Sequence, residues 1–290
     1  MSITITGHTQ LTGLLGSPVA HSISPRMHNE SFQYWNLDYV YLCFDVQEAA
    51  LATAVSGLRT MGVRGFNLTM PCKNRMVELC DCLSPAARLI DAVNTVVHED
   101  GRLTGHNTDG VGFVRALKDA GHEIKGQTVT LLGAGGAATA ICVQAALDGA
   151  KAIHVFARPT SRFWGRMQRL ADEINRSYPC RVTLMEQSDH AQLLHALEES
   201  QLLVNGTSVG MAPNTEESLI TDPACFHPGL VVFDAIYNPR QTRLLELAKD
   251  AGCETCNGLY MLLYQGAEAF SLWTGQDMPI SHIKSSCFSQ

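Results

Sequence analysis

One stretch restricts what this chain can fold into more than any other: residues 127–148, QTVTLLGAGGAATAICVQAALD. Its opening, Thr128-Val129-Thr130-Leu131-Leu132, is a short β-rich apolar run that suits a strand buried on both faces. Gly133-Ala134-Gly135-Gly136-Ala137-Ala138 follows at once and fits the pattern G-x-G-x-x-G/A, and the Ala-rich residues 137–147 predict a helix. In that pattern Gly133 allows a tight turn, Gly135 lets a pyrophosphate approach the backbone, and Ala138 lets the helix pack close to the strand. The helix N-terminus then offers N–H donors to an anion. A second β-rich run, Ala152-Ile153-His154-Val155-Phe156, completes a βαβ unit after Asp148-Gly149-Ala150. Residues 127–147 carry no charge and approach the length of a membrane span. The central glycines and Gln144 interrupt that run, and the helix left over is too short to cross. The stretch reads as a dinucleotide cradle.

The end of the second strand bears on which dinucleotide. Folds of this type that prefer NAD place an acid there for the ribose hydroxyls, whereas an arginine accommodates the 2′-phosphate of NADP. This chain reads Ala157-Arg158-Pro159-Thr160-Ser161-Arg162, with no acid and with two guanidinium groups able to clamp a phosphate. The expectation is NADP, with NAD as the alternative cofactor.

At 290 residues the chain has room for two domains, and its 46% hydrophobic and 17% charged content is that of a globular protein. A formal net charge of −7 argues against a nucleic-acid or anionic-membrane surface as partner, and points to small molecules. The N-terminal segment MSITITGHTQLTG has no basic stretch followed by an apolar one, so the protein reads as cytoplasmic. Ten cysteines show no repeating spacing. Cys80-x-Cys82 and Cys253-x-x-Cys256 would need to meet to hold zinc, and a redox CxxC would need to open a helix, so neither a metal site nor a redox site is expected.

Strand-like and helix-like runs alternate along the chain. Strands are expected at residues 11–16, 39–44 and 65–69, and helices at 25–35, 47–61 and 73–80, the first with proline at its first position. Residues 94–98 and 103–107 flank Glu99-Asp100-Gly101-Arg102, whose Asp-Gly is a hairpin signal. Residues 110–120 predict a helix ending at Gly121. Beyond the cradle, strands at 182–185, 202–205 and 231–235 alternate with helices at 162–178, 191–199 and 242–251, the pattern of a parallel sheet covered on both faces. A last helix covers 261–273. The fold class is therefore α/β in two domains: an N-terminal α/β domain over residues 1–109 and a Rossmann-type doubly wound dinucleotide-binding domain over 110–257, with residues 258–290 returning to the first.

Four polar clusters in the first domain resist explanation as packing: GSPVAHSISP (16–25), NLTMPCK (67–73), AVNT (92–95) and GHNTDG (105–110). Each lies where a strand ends, the side on which open α/β sheets bind ligands. Together with the Gly133 turn, NGTSVGM (205–211), YNP (237–239) and GLYMLLYQGA (258–267), they follow the order of motifs in the shikimate dehydrogenase family, which the chain resembles over about residues 11–275. The resemblance implies reversible, nicotinamide-dependent reduction of 3-dehydroshikimate to shikimate, on the route to chorismate and the aromatic amino acids. It makes residues 1–109 the substrate-binding catalytic domain. It implies Lys73 and Asp109 as the catalytic pair, with Lys73 delivering a proton to the developing alkoxide and Asp109 holding it in place. It implies Ser22, Ser24 and Tyr237 around the substrate carboxylate, and Asn67, Thr69, Asn94 and Gln265 around the ring hydroxyls. Helix capping before Pro25 is the other reading of the two serines. On the cofactor it implies Gly133, Ala134, Gly135, Gly136, Ala137, Arg158, Arg162, Thr207, Gly258 and Met261. Met211, Met261 and Leu262 either line the nicotinamide face or pack in the core.

The chain departs from the family's Asn-Arg-Thr at Ala157-Arg158-Pro159, and Thr160 stands where the NAD-using branch has aspartate. Two rivals stay open at this point: a quinate/shikimate dehydrogenase using NAD as well or instead, and a non-catalytic dinucleotide-binding regulator. The oligomeric expectation is a monomer or homodimer.

Overall fold

The computed structural model describes residues 5–288. The first four residues of the segment read for a leader, and the last two of the segment assigned to the first domain, lie outside the described residues. The chain divides into two compact units: one runs to Thr108 and resumes at Gln265, and the other is Asp109–Tyr264.

The first unit contains β1 (Gln10–Gly16), α1 (Ser24–Tyr34), β2 (Tyr39–Asp45), α2 (Leu51–Thr60), β3 (Gly65–Leu68), β4 (Cys82–Leu83), α3 (Pro85–Ile90), β5 (Thr95–Glu99) and β6 (Arg102–His106). Its sheet has the order β2-β1-β3-β5-β6-β4. β1 pairs in parallel with β2 and β3, while β3–β5 and β5–β6 are antiparallel. The β5–β6 turn has φ of 51° at Asp100 and 76° at Gly101, the double left-handed conformation that makes Asp-Gly a tight hairpin. Leu15, Leu51, Val55, Leu58, Phe66, Leu68, Met76 and Val96 belong to one hydrophobic core. A separate aromatic cluster surrounds His28, whose ring stacks on Tyr41 at 4.5 Å and 8° and lies 5.3 Å from Trp273.

The second unit contains α4 (Asp109–Asp119), β7 (Thr128–Leu132), α5 (Gly136–Leu147), β8 (Ala152–Ala157), α6 (Trp164–Ser177), β9 (Arg181–Glu186), α7 (His190–Glu199), β10 (Leu202–Asn205), β11 (Val231–Asp234), α8 (Arg243–Asp250), β12 (Glu254–Asn257) and the first residues of α9 (Leu259–Thr274). The remainder of α9 and α10 (Ile280–Cys287) belong to the first unit. All six strands of the second sheet are parallel, in the order β12-β11-β10-β7-β8-β9. Read from β9, this is the doubly wound order 3-2-1-4-5-6, which reverses between β7 and β10. Helix α5 lies in the core along most of its length, with Ala138, Ala140, Ile141, Cys142 and Val143 buried, and its small residues let it approach the sheet closely.

Several expectations change. Residues 73–80 form only a short 3₁₀ segment, Arg75–Leu79, because the Lys73 carbonyl is taken by the Val93 N–H at 2.9 Å instead of continuing a helical ladder. The helix expected over 47–61 is a 3₁₀ turn, Glu48–Ala50, followed by α2. α6 starts at Trp164 instead of Arg162, because the Ser161 hydroxyl and carbonyl accept from Phe163 N and Trp164 N and form a turn there. β4 and α3 were not anticipated, although Ser84 caps α3 by accepting from Ala87 N and Pro85 follows it, a recognisable helix start.

Candidate active site

In the second unit, Gly133 closes β7 and Thr207 follows β10, so both lie at the carboxyl ends of the two strands where the sheet order reverses. Gly133 has φ of +106°, and a Cβ there would stand 2.7 Å from Thr207 Cγ2. Only glycine meets both conditions. Gly206 is also tied to its size, because a Cβ on it would lie 2.8 Å from Ala138 Cβ and 2.9 Å from Ala138 Cα, at the start of α5. The packing foreseen for Ala138 thus has a partner on β10's loop that the sequence did not single out. Gly135 and Gly136 differ: a Cβ on either meets nothing within 4 Å. Protein packing gives no reason for glycine at these positions, whereas the close approach of a ligand to the backbone does. No side chain caps α5, so its first N–H groups are oriented for an anion. The residues present therefore fit a dinucleotide.

Arg158 and Arg162 are both exposed beyond the end of β8, and Arg162 lies over the Phe163 ring at 4.7 Å. Ser161 N donates to Arg158 O at 2.9 Å, which puts Pro159 second in a β-turn, a position where proline's fixed φ is favourable. Its missing N–H costs the loop nothing there. Thr207 donates both its N–H (3.0 Å) and its hydroxyl (2.7 Å) to Asn205 Oδ1. Gly258 is buried, with its N–H donating to Ile236 O, and a Cβ on it would collide with the Ala235 backbone. Met261 is buried, Leu262 is half-buried, and Met211 is 46% exposed, so core packing does not account for Met211. Tyr237 is 44% exposed in the loop after β11, and Asp109 is the first residue of α4.

In the first unit the backbone ties the four polar clusters together. Ser17 N donates to Met70 O, Thr69 N to Leu15 O, Leu68 N to Asn94 O, Asn94 N to His106 O and Val93 N to Lys73 O, at 2.8–3.0 Å. Gly16 lets the first two loops touch, since a Cβ there would run into Thr69 Cγ2. Asn67 is buried; its amide donates to Asn94 O (3.1 Å) and Thr95 Oγ1 (2.9 Å) and accepts from the Tyr41 hydroxyl (2.9 Å). Both Asn67 donors are therefore in use, leaving a lone pair on Oδ1 for a ligand. Asn94 Oδ1 accepts from Thr108 N at 2.8 Å and its amide donates to Thr108 Oγ1 at 3.0 Å.

Ile23, not a serine, stands at the N-cap of α1, and no side chain caps that helix. Ser22 Oγ accepts from Ser24 N at 3.2 Å, and the Ser24 hydroxyl hydrogen-bonds to the Tyr41 phenol. Tyr41 thus joins two predicted substrate residues, Ser24 and Asn67, although nothing in the sequence marked it. Burial raises its hydroxyl well above the ordinary tyrosine value, so the phenol stays a donor. Lys73 is half-buried in the turn after β3, Thr69 precedes it, and Gln265 is half-buried on α9. Burial lowers the His106 pKa, and it lowers that of His28 to about 3, so His28 is neutral. Cys256 lies within β12 and not at a helix start, so the CxxC spacing has no redox geometry.

A dinucleotide cradle at the switch point of one unit and buried polar clusters at the strand ends of the other are the features of an NAD(P)-dependent oxidoreductase. The family model for the shikimate dehydrogenase substrate binding domain matches residues 14–96, and that for the shikimate 5'-dehydrogenase C-terminal domain matches residues 258–287. A protein named shikimate dehydrogenase (NADP(+)) from Listeria innocua is 50% identical over 284 residues, covering 98% of this chain and 97% of its own. The crystal structure of shikimate 5-dehydrogenase from Listeria monocytogenes, in complex with shikimate and NAD, has a TM-score of 0.96 at 49% identity, covering 99% of each chain. A quinate dehydrogenase from Corynebacterium glutamicum in complex with NAD has a TM-score of 0.85 at 30% identity, covering 97% of this chain and 96% of that one. The chain belongs to the shikimate dehydrogenase family. Among the described residues, no helix is long and apolar enough to cross a membrane.

Proposed function

We propose that this protein is an NADP-dependent shikimate dehydrogenase, reversibly reducing 3-dehydroshikimate to shikimate in aromatic amino acid biosynthesis. The observation that carries this reading is half identity, over nearly all of both chains, with a protein named shikimate dehydrogenase (NADP(+)). Residues 1–109, with 258–290, bind substrate, and residues 110–257 bind the dinucleotide. Gly133, Ala134, Gly135, Gly136 and Ala137 receive the pyrophosphate, Arg158 and Arg162 the 2′-phosphate, and Thr207, Gly258 and Met261 the nicotinamide side. The bound nicotinamide supplies or takes the hydride. Lys73 gives a proton to the carbonyl oxygen as charge develops on it, and the ammonium stabilises that charge. Asp109 orients Lys73 and binds a neighbouring hydroxyl. Ser22, Ser24 and Tyr237 hold the carboxylate, and Asn67, Thr69, Asn94 and Gln265 read the ring hydroxyls. Neutral donors suffice for a carboxylate where water is excluded.

Quinate is the second reading, supported by the likeness to quinate dehydrogenase. Steady-state kinetics with shikimate or quinate, each with NADP or NAD, tests both; turnover of neither acid refutes the assignment. Lys73→Ala addresses the regulator alternative: the enzyme loses orders of magnitude in kcat with little change in dinucleotide affinity, whereas a binding module loses no function. The enzyme acts in the cytoplasm as a monomer or homodimer, without nucleic-acid or membrane partners, and light scattering measures its mass.

A further inference from the structure

Asp234, at the end of β11, is fully buried, and burial raises its pKa. No role so far uses it. Its carboxylate accepts three hydrogen bonds, from Asn205 Nδ2 (3.0 Å) and Ile236 N (3.0 Å) on Oδ1 and from Thr242 Oγ1 (2.6 Å) on Oδ2. Each donor belongs to a different segment. Asn205 begins the loop of Thr207, Ile236 precedes Tyr237, and Thr242 caps α8 by accepting from Leu245 N.

The chemistry of the first contact fixes an orientation. A carboxylate only accepts, so the Asn205 amide must turn its nitrogen toward Asp234 and its oxygen toward Thr207. That oxygen takes both the N–H and the hydroxyl proton of Thr207, and Thr207 Oγ1 in turn accepts from Val209 N at 3.1 Å. With its hydroxyl engaged on that side, Thr207 presents Cγ2 to Gly133, 2.7 Å from where a Cβ would stand.

We propose that Asp234 is a positioning residue for dinucleotide binding: through Asn205 it holds Thr207 against the Gly133 turn, and through Ile236 it fixes the loop that carries Tyr237. This rests on the reading of Thr207 as a dinucleotide contact. An apolar residue of similar size would pack at lower desolvation cost, but would offer the Asn205 amide no acceptor and so would not dictate which way it faces.

The test is a fluorescence titration of NADPH into the full-length protein, with thermal denaturation alongside. Asp234→Ala is expected to raise the NADPH Kd about tenfold or more in folded protein and to raise KM for shikimate more than it lowers kcat. Asp234→Asn keeps an acceptor for Ile236 and Asn205 and is expected to recover most of the lost affinity. A purely structural role would lower the melting midpoint of Asp234→Ala while leaving its NADPH Kd within about twofold of the parent, and that result overturns the proposal. If Asp234→Ala does not fold, Asn205→Ala reads the same relay: weakening of about tenfold or more supports it, and parent-like affinity overturns it. The titration needs no turnover. A parent that binds NADPH but oxidises no shikimate therefore counts against the proposed reaction, and the variants still judge Asp234.

Discussion

Replacing Gly135 with alanine should separate what the dinucleotide cradle needs from what the fold needs. The backbone at Gly135 has φ of −76° and ψ of −172°, a region open to any residue, and its added methyl meets no protein atom within 4 Å. Two small terms act on stability. Alanine is a poorer N-cap than glycine by about 0.5 kcal/mol, and it restricts the unfolded chain, which stabilises the fold by about 0.4–1 kcal/mol. They nearly cancel, so the melting midpoint should move by no more than about 2 °C. Dinucleotide binding should respond very differently, because the methyl occupies the space a pyrophosphate needs to reach the backbone. Loss of that approach is worth at least about 1.4 kcal/mol, a tenfold or larger rise in Kd for NADPH by fluorescence titration. Gly133→Ala is the contrast: φ of +106° and a methyl 2.7 Å from Thr207 Cγ2 should reduce both stability and binding. Should Gly135→Ala bind NADPH within about twofold of the parent, the cradle is not where the phosphates lie and the assignment of these glycines fails.

Arg158→Ala should weaken NADP much more than NAD in parallel titrations, since only NADP carries the 2′-phosphate; equal losses would refute the cofactor preference. Tyr41→Phe removes the donor to Asn67 Oδ1 and the partner of Ser24, and should cost about 1–2 kcal/mol in urea denaturation and raise KM for shikimate more than it lowers kcat. His28 titrates at about 3 in the fold against an ordinary value of 6.5, so the unfolded chain binds the proton more tightly. Its contribution to stability is complete above about pH 6.5 and is lost as pH falls toward about 3, at roughly 1.4 kcal/mol per pH unit. Urea denaturation between about pH 7 and pH 5 should show this slope, and His28→Phe should flatten it; the aromatic groups stacked around His28 include one titratable side chain, Tyr41, which stays neutral in this range.

What could be read from residues alone was what depends on neighbouring residues. The glycine turn after residues 128–132, the Asp100-Gly101 hairpin and the proline in the first turn of α1 act through local backbone conformation; the first two appear in the structure as expected, and α1 begins one residue before its proline. The ordered polar clusters were visible too, because strand ends carry them in short runs. Where a local pattern competed with a distant partner, it misled: residues 73–80 look helical, but the Lys73 carbonyl bonds to Val93. The partnerships that orient the site were beyond such reading. Tyr41 meets Asn67 across 26 residues and Asp234 meets Asn205 across 29, because strands distant in sequence end side by side. Which donor faces which acceptor inside a buried network is decided by tertiary packing, since only burial removes water as the alternative partner.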